Sequence, residues 1–584
     1  MRAHPAALSE RLASLVRFPL HGVSLLREVP ILAGGFAAFY AVLLLAQRWA
    51  SPVSGQAEIS LAVAALPKYA LFSVVRLTLA YLLSLAFAIG YGYIAAHNER
   101  AGRFMVPLLD TLQSIPVLSF LPPVMIAMVA LFPTRELGIE LGSVLLIFTG
   151  QVWNMAFSFY ASLKSIPAEM REAAEIYRWS RWQKFIQMEL PYSTIGLLWN
   201  SMMSVAGGWF FLMACEMFVL GDRDLRLPGL GSYLQTAANQ GNTRAILWGL
   251  TVMIGVIILI DQFIWRPAIA WAEKFKFEQV EASDVPRSFA LDFLRHSRLL
   301  PAFNRSVVRP ARERIGLYFA RRHANQSVSD AAPGETRRWI AWLSTAAITL
   351  ALSILLLRML ALLGSLRGAE LRELLVGAGA SFLRVELTLA LAGLWTIPVG
   401  MMIGLHPKLS AIAQPAAQVA ASVPATALFP VILLLLIRAG GGLGVGSIVL
   451  LLLGTQWYIL FNVIAGASAI PTDLREVCNL YRFPRWERWR DLLLPAIFPY
   501  LVTGFITASG GAWNASIVAE YSRFQNQTYT VTGLGAIISR ATDQGDFAML
   551  LAATILMALI VVTVNRLLWR RLYRLAATRF TLES

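Results

Sequence analysis

Charge is scarce in this chain. Asp, Glu, Lys and Arg make up 14% of 584 residues against 57% apolar ones, and mean hydropathy is +0.61. Soluble domains carry about 45–50% apolar residues, so a soluble globular fold is excluded and an integral membrane protein is indicated. Cysteine is nearly absent. Cys215 falls in an apolar run and Cys478 in a charged stretch, and neither has metal-ligand company, so no disulfide framework and no metal centre follow. Catalytic signatures are missing too. There is no G-x-x-x-x-G-K-[ST] phosphate loop and no H-E-x-x-H, and the six His show no ligand spacing. Any ATP hydrolysis coupled to the chain belongs to another polypeptide.

What is present is apolar length. A helix needs roughly 20 apolar residues to cross the hydrocarbon core. About twelve runs of that order lie near residues 31–47, 69–95, 104–132, 143–163, 193–220, 245–265, 339–363, 379–405, 411–437, 445–468, 497–521 and 547–569. Residues 1–30 lack a compact apolar core followed by a small-residue cleavage site. They are expected to stay cytosolic, either as a surface helix bearing Arg11, Arg17 and Arg27 or as a frayed basic tail. With residue 1 inside, most of the 50 Lys and Arg fall in inner loops, as the positive-inside rule requires. The net charge of +16 then points to anionic inner-leaflet lipid and away from nucleic acid.

An internal repeat sets the architecture. Arg76, Pro107, Pro116 and Pro122 align with Arg384, Pro415, Pro424 and Pro430 at a constant offset of 308. After a four-residue deletion the offset is 304, carrying Gly150, Trp153, Glu172, Pro191, Glu216 and Gly229-Leu230-Gly231 onto Gly454, Trp457, Glu476, Pro495, Glu520 and Gly533-Leu534-Gly535. Apolar composition alone does not produce such a register. Six spans are duplicated, and an even number per copy gives both copies the same topology, as in parallel repeats. The expected organisation is an interfacial segment 1–30, repeat 1 over 31–272, a basic linker with an interfacial helix over 273–337, repeat 2 over 338–572 and a tail 573–584.

Two charged stretches also correspond: REAAEIYRWSRWQKFIQMELP at 171–191 and REVCNLYRFPRWERWRDLLLP at 475–495. In each, Glu and the final Pro are 19 residues apart, and the loops, 165–191 and 469–495, lie on the predicted inner face. Pro167 and Pro471 suit a first helical turn, and Glu169 and Asp473 complement its positive end. Solvated basic segments anchored by Trp179, Trp182, Trp486 and Trp489 would account for part of this pattern.

Glu172-Ala173-Ala174, with Glu476-Val477-Cys478 as its counterpart, resembles the EAA loop of ATP-binding-cassette importer permeases. Arg384 before a Gly-containing helix, Val423-Pro424 with Pro430, WNASIVAE at 513–520 and Gly533-Leu534-Gly535 are similar to the nitrate/sulfonate/taurine/bicarbonate-type branch of the type I fold. The resemblance covers nearly the whole chain apart from the first span of each copy, the N-terminus and the linker. It implies an all-α integral membrane protein of about 12 transmembrane helices in two parallel six-helix repeats. It further implies a multi-pass location in a bacterial inner membrane with both termini cytosolic. Two cytosolic ATPase subunits would dock on the loops through Glu172, Ala173, Ala174, Tyr177, Arg178, Glu476, Val477, Cys478, Tyr481 and Arg482. ATP and Mg would sit on those partners, with no cofactor in this chain, and an extracytoplasmic solute-binding protein would deliver a small anionic solute. The family places Gly six residues after the motif Glu, where this chain has Arg178 and Arg482. The helix break is therefore expected to move downstream, to a cap at Ser180 and a stop at Pro484.

Ionisable residues at membrane depth are functional candidates: Arg76, Arg384, Asp110, Glu216, Glu386 and Glu520. Arg76 and Arg384, near the outer ends of their helices, either face substrate, snorkel to the interface or form structural pairs with Glu216 and Glu520, and Trp209 and Trp513 either line a pathway or fill helix contacts. WFFLMACEMF in copy 1 faces WNASIVAEYS in copy 2, so an asymmetric pathway is expected, with Asn514, Ser516 and Thr507 offering polar groups to an oxyanion. A twelve-helix ion-coupled secondary transporter fits the span count equally, but gives no reason for two matched inner loops. An ATP-driven exporter is the third reading.

Overall fold

The computed structural model describes residues 58–132, 136–220, 223–275, 305–306, 309–310, 313–314, 317–318, 335–438, 442–470, 472–524 and 527–579. The segment 1–30, the run 31–47 and most of the linker lie outside these. Copy 1 contains α1 (Leu66–His97), α2 (Glu99–Ser114), α3 (Leu121–Leu131), α4 (Leu137–Lys164), α5 (Ala168–Ile176), α6 (Arg181–Lys184) and α7 (Leu190–Glu216). There follow the strands β1 (Val219–Leu220) and β2 (Arg223–Asp224), then α8 (Leu230–Asn239), α9 (Thr243–Ile260) and α10 (Arg266–Ala272).

After α11 (Glu335–Leu363) the order recurs: α12 (Gly368–Leu405), α13 (Pro407–Ser422), α14 (Ala425–Arg438), α15 (Leu443–Ser468), α16 (Thr472–Leu480), α17 (Arg485–Glu487) and α18 (Leu494–Ala519). Then come β3 (Tyr521–Phe524), β4 (Gln527–Thr530), α19 (Leu534–Gln544), α20 (Phe547–Val564) and α21 (Arg570–Arg579). Even the π-helical turns correspond: Phe185–Glu189 with Arg488–Leu493, and Asp261–Trp265 with Asn565–Trp569. The chain is an all-α, two-repeat membrane protein.

Among the described residues, eight helical stretches are long and apolar enough to cross a membrane. They are Val63–His97, Leu137–Lys164, Arg181–Glu216, Thr243–Ala272, Gly368–Leu405, Leu443–Ser468, Arg485–Ala519 and Phe547–Ala576. The apolar runs 104–132 and 411–437 are each built from two helices. A proline disfavours helical geometry in the residue before it. Ile115, before Pro116, has ψ 129°, and Val423, before Pro424, has ψ 117°, so the chain is extended at both breaks.

Two compact units are distinguished. The larger comprises 47–165, 196–260 and 331–584, and the smaller 1–46, 166–195 and 261–330. In the larger, α4 packs along α1, and α15 lies against both α12 and α18. Small residues let these backbones approach, as they do where apolar burial alone gives no driving force between helices. An added Cβ at Gly400 would meet Val463 at 2.8 Å, and one at Gly404 would meet the Ile464 carbonyl at 2.6 Å.

Candidate functional site

Each copy ends its α7 or α18 span in a glutamate held by the same set of groups. In copy 1 Glu216 Oε1 accepts Ser73 Oγ at 2.7 Å and Arg76 Nη1 at 2.8 Å, and Oε2 accepts the Gly231 N–H at 2.8 Å. Arg76 Nη1 also donates to the Pro228 carbonyl at 2.9 Å, and the Leu230 N–H donates to Ser73 Oγ at 3.0 Å. In copy 2 Glu520 Oε1 accepts Ser381 Oγ at 2.7 Å and Arg384 Nη1, and Oε2 accepts the Gly535 N–H at 2.8 Å. Arg384 Nη2 reaches the Thr532 carbonyl at 3.1 Å, and the Leu534 N–H donates to Ser381 Oγ at 2.8 Å.

These clamps explain the Gly-Leu-Gly pair. A Cβ at Gly229 would lie 2.3 Å from the Glu216 carboxylate, and one at Gly533 would lie 2.1 Å from that of Glu520. Gly229 and Gly533 have extended backbones, φ −176° and 171°, so glycine is needed here for close approach and not for a left-handed turn. Arg76 and Arg384 form the ion pairs with Glu216 and Glu520 that the sequence offered as one reading.

The clamps differ in one residue. Arg76 is also forked onto Glu140, Nε to Oε2 at 2.6 Å and Nη2 to Oε1 at 2.8 Å, with all three ionic side chains fully buried. At the 304 offset Glu140 corresponds to Gly444, and Arg384 is 13% exposed. Glu140 was not singled out in the sequence, although the alignment of GIELGS with GLGVGS marks it as an acid that one copy lacks.

Between the ends of α7 and α18 is a cavity of about 580 Å³, walled in copy 1 by Met217, Phe218, Asp224 and Arg226, and in copy 2 by Tyr521 and Asp543, among others. Asp224 and Arg226 form a fork, Nε to Oδ1 at 2.8 Å and Nη2 to Oδ2 at 2.6 Å. Burial works against the Asp224 charge, but the hydrogen bonds and charge of Arg226 outweigh it and hold this carboxyl below the ordinary carboxylate range. The Tyr521 hydroxyl donates to Asp543.

Trp209 and Trp513 are buried in helix contacts. Asn514 donates Nδ2 to the Gly510 carbonyl at 3.0 Å and accepts the Leu118 N–H of the other copy at 3.4 Å. Ser516 Oγ donates to the Trp513 carbonyl at 2.8 Å, and Thr507, which is half-buried, to that of Thr503 at 3.0 Å. Glu386 has one carboxyl oxygen buried with no hydrogen-bond partner among the described residues. The Asp110 side chain lies outside the described residues.

In the charged loops Glu172, Ala173, Tyr177 and Arg178 are exposed and Ala174 is buried; Glu476, Val477, Tyr481 and Arg482 are exposed and Cys478 is buried. The third motif position thus takes a small buried side chain in both, which accommodates cysteine. Pro167 is the N-cap of α5, with Glu169 in the first turn; Pro471 and the Asp473 side chain lie outside the described residues. New helices start after Ser180, whose hydroxyl caps Gln183, and after Pro484.

The turn itself has not moved, contrary to the expectation from the missing glycine. Arg178 and Arg482 have φ 49° and 52°. The Trp179 N–H reaches the Ala174 carbonyl at 3.0 Å and the Arg178 N–H that of Glu175 at 2.9 Å, a Schellman closure, and the Phe483 N–H likewise meets the Cys478 carbonyl at 3.0 Å. These bonds satisfy carbonyls left over at the helix end, which is why the left-handed residue persists without glycine.

A family model described as "Binding-protein-dependent transport system inner membrane component" matches residues 88–264 and again 396–580. The chain is 28% identical over 188 residues to the nitrate import permease protein NrtB of Leptolyngbya laminosa, and 27% identical over 187 residues to the bicarbonate transport system permease protein CmpB of Synechococcus elongatus. Each alignment covers 32% of this chain and 64% of the relative, so the chain spans less than two thirds of those proteins' length. It is 26% identical over 187 residues to the osmoprotectant import permease protein OsmW of Salmonella typhimurium, covering 32% of this chain and 84% of that protein. Such components are transport subunits rather than enzymes. Carrying the matched region twice, the chain belongs to the family of binding-protein-dependent transport system inner membrane components, the permeases of ATP-binding-cassette importers.

Proposed function

We propose that one chain supplies both permease halves of an ATP-binding-cassette importer and moves a small anionic solute by alternating access. The repeats are taken as 31–272 and 338–572, with the N- and C-termini cytosolic. Two cytosolic ATPase subunits, which carry the ATP and Mg, dock on the loops 165–191 and 469–495, and an extracytoplasmic binding protein delivers the solute. The observation that carries this reading is the matched pair of loops. Each has a short helix, a left-handed Tyr-Arg turn and a restarted helix, and each leaves large side chains in the open: Ile176 78% and Tyr177 73% exposed, Leu480 79% and Tyr481 71%. Exposed apolar groups rimmed by charge mark a protein or membrane contact, and the matched turn in both loops favours a protein one. The anionic class follows the names of the nitrate and bicarbonate relatives.

Co-purification with a candidate ABC ATPase, followed by Glu172→Ala and Glu476→Ala together, tests the reading. Loss of solute-stimulated ATP hydrolysis with retained folding is expected. Transport at the unaltered rate by the double variant, driven by an ion gradient, would replace the reading with a secondary transporter.

A further inference from the structure

Arg226 is the one basic side chain among the described residues that line the 580 Å³ cavity. Each guanidinium nitrogen has a partner: Nε and Nη2 hold the two Asp224 oxygens, and Nη1 donates to Thr236 Oγ1 at 3.0 Å. Asp224 also accepts the Arg226 backbone N–H at 3.1 Å. This pair is unlike the clamps. Glu216 is wholly buried and tied by Ser73 and the Gly231 amide as well as by Arg76, so it has nowhere to go. Asp224 and Arg226 keep 16% and 22% of their side-chain surface, and Asp224 is the last residue of a hairpin with two-residue strands, paired with Val219.

We propose that Arg226 is the anion-receiving group of the cavity and that Asp224 is an internal surrogate, occupying the guanidinium until a small oxyanion displaces it. The inference rests on the permease reading above. The chemistry is an exchange of like for like. A guanidinium presents a planar fork that fits any planar or tetrahedral oxyanion as it fits a carboxylate. Replacing one anion by another leaves no buried charge stranded, since the released Asp224 carboxylate already meets water. Net affinity is therefore low, which suits a group that must also let its solute go. Recognition is one-sided: the residues corresponding to Asp224 and Arg226 in copy 2 are Thr528 and Thr530. On the copy 2 wall the Tyr521 hydroxyl proton is donated to Asp543, so the cationic group of the lining is Arg226.

A reporter thiol at Ser539, another lining residue, tests this in the full chain held in lipid nanodiscs. Native Cys215 and Cys478 are both buried. Ser539→Cys is labelled with a neutral, a sulfonate-bearing and a trimethylammonium-bearing methanethiosulfonate. Asp224→Asn is expected to raise the sulfonate reagent's rate relative to the neutral one by roughly fivefold, the effect of one freed charge at close range in water. Adding Arg226→Gln is expected to cancel that rise. Millimolar nitrate is expected to slow the sulfonate reagent in the Asp224→Asn chain and to leave the chain with both substitutions unaffected. The neutral reagent's rate reports whether each variant keeps its fold. A sulfonate-to-neutral ratio that stays constant across the variants overturns the surrogate and leaves the permease reading standing. Ready labelling that leaves solute-stimulated ATP hydrolysis intact removes the cavity from the pathway, and with it the inference.

Discussion

Arg178 and Arg482, 304 positions apart, hold the same left-handed backbone, φ 49° and 52°. A side-chain-bearing residue pays about 1–2 kcal/mol for that conformation, and two copies keeping arginine there point to a use for the side chain. Arg178→Gly and Arg482→Gly are expected to raise the stability of each loop by about 1 kcal/mol, the relief exceeding the entropy that glycine adds to the unfolded chain. Thermal unfolding of the purified chain reads the gain, and ATPase stimulation is expected to fall in the same variants.

The buried ion pairs should respond unequally. Removing one partner of a buried pair costs about 3–5 kcal/mol. Arg76→Met strands both Glu140 and Glu216, whereas Arg384→Met strands Glu520 alone, beside a site that is partly open. The Arg76 variant should therefore show the larger loss of folded yield and the lower melting midpoint. Equal losses would count against this account of the clamps.

Gly229→Ala and Gly533→Ala drive a methyl into a carboxylate and should each lower stability by about 2 kcal/mol, in the range found for overpacked cores. Gly255→Ala is the control. A Cβ there meets nothing within 4 Å, and in a helix interior the exchange should stabilise by about 0.5–1 kcal/mol. Opposite shifts in melting midpoint are expected.

Acid should loosen the β1–β2 hairpin. The Asp224 carboxyl is held below its ordinary range, so its stabilising contribution is complete above the unfolded value of about 3.9 and is lost as pH falls through the lower folded value. Protease susceptibility of the 219–226 segment is expected to be flat from neutral pH down to about 5 and to rise below about 4. In Asp224→Asn that acid step should vanish.

Much of this was legible because duplicated sequence shows which polar residues keep their spacing. Arg76, Glu216 and Gly229-Leu230-Gly231 recur at fixed offsets, and the structure joins them in one clamp. Ser73 and Ser381 share the 308 offset, but serine in an apolar run carries no signal until its partner is known. The left-handed arginines depart from the expectation for a physical reason. Propensity ranks glycine first for positive φ, but the hydrogen bonds that close the helix decide the conformation, and they do not depend on the side chain. Asp224 and Arg226 lie in a short polar loop, where two residues of separation reveal a fork only after the hairpin has folded.

Glu140 has a wider consequence. A pair of identical subunits inherits every substitution twice and must balance both. Here a second acid reinforces one half while glycine stands at the matching place in the other. A single gene for both halves lets each position change alone, so that an acid can settle beside one arginine without burdening the other.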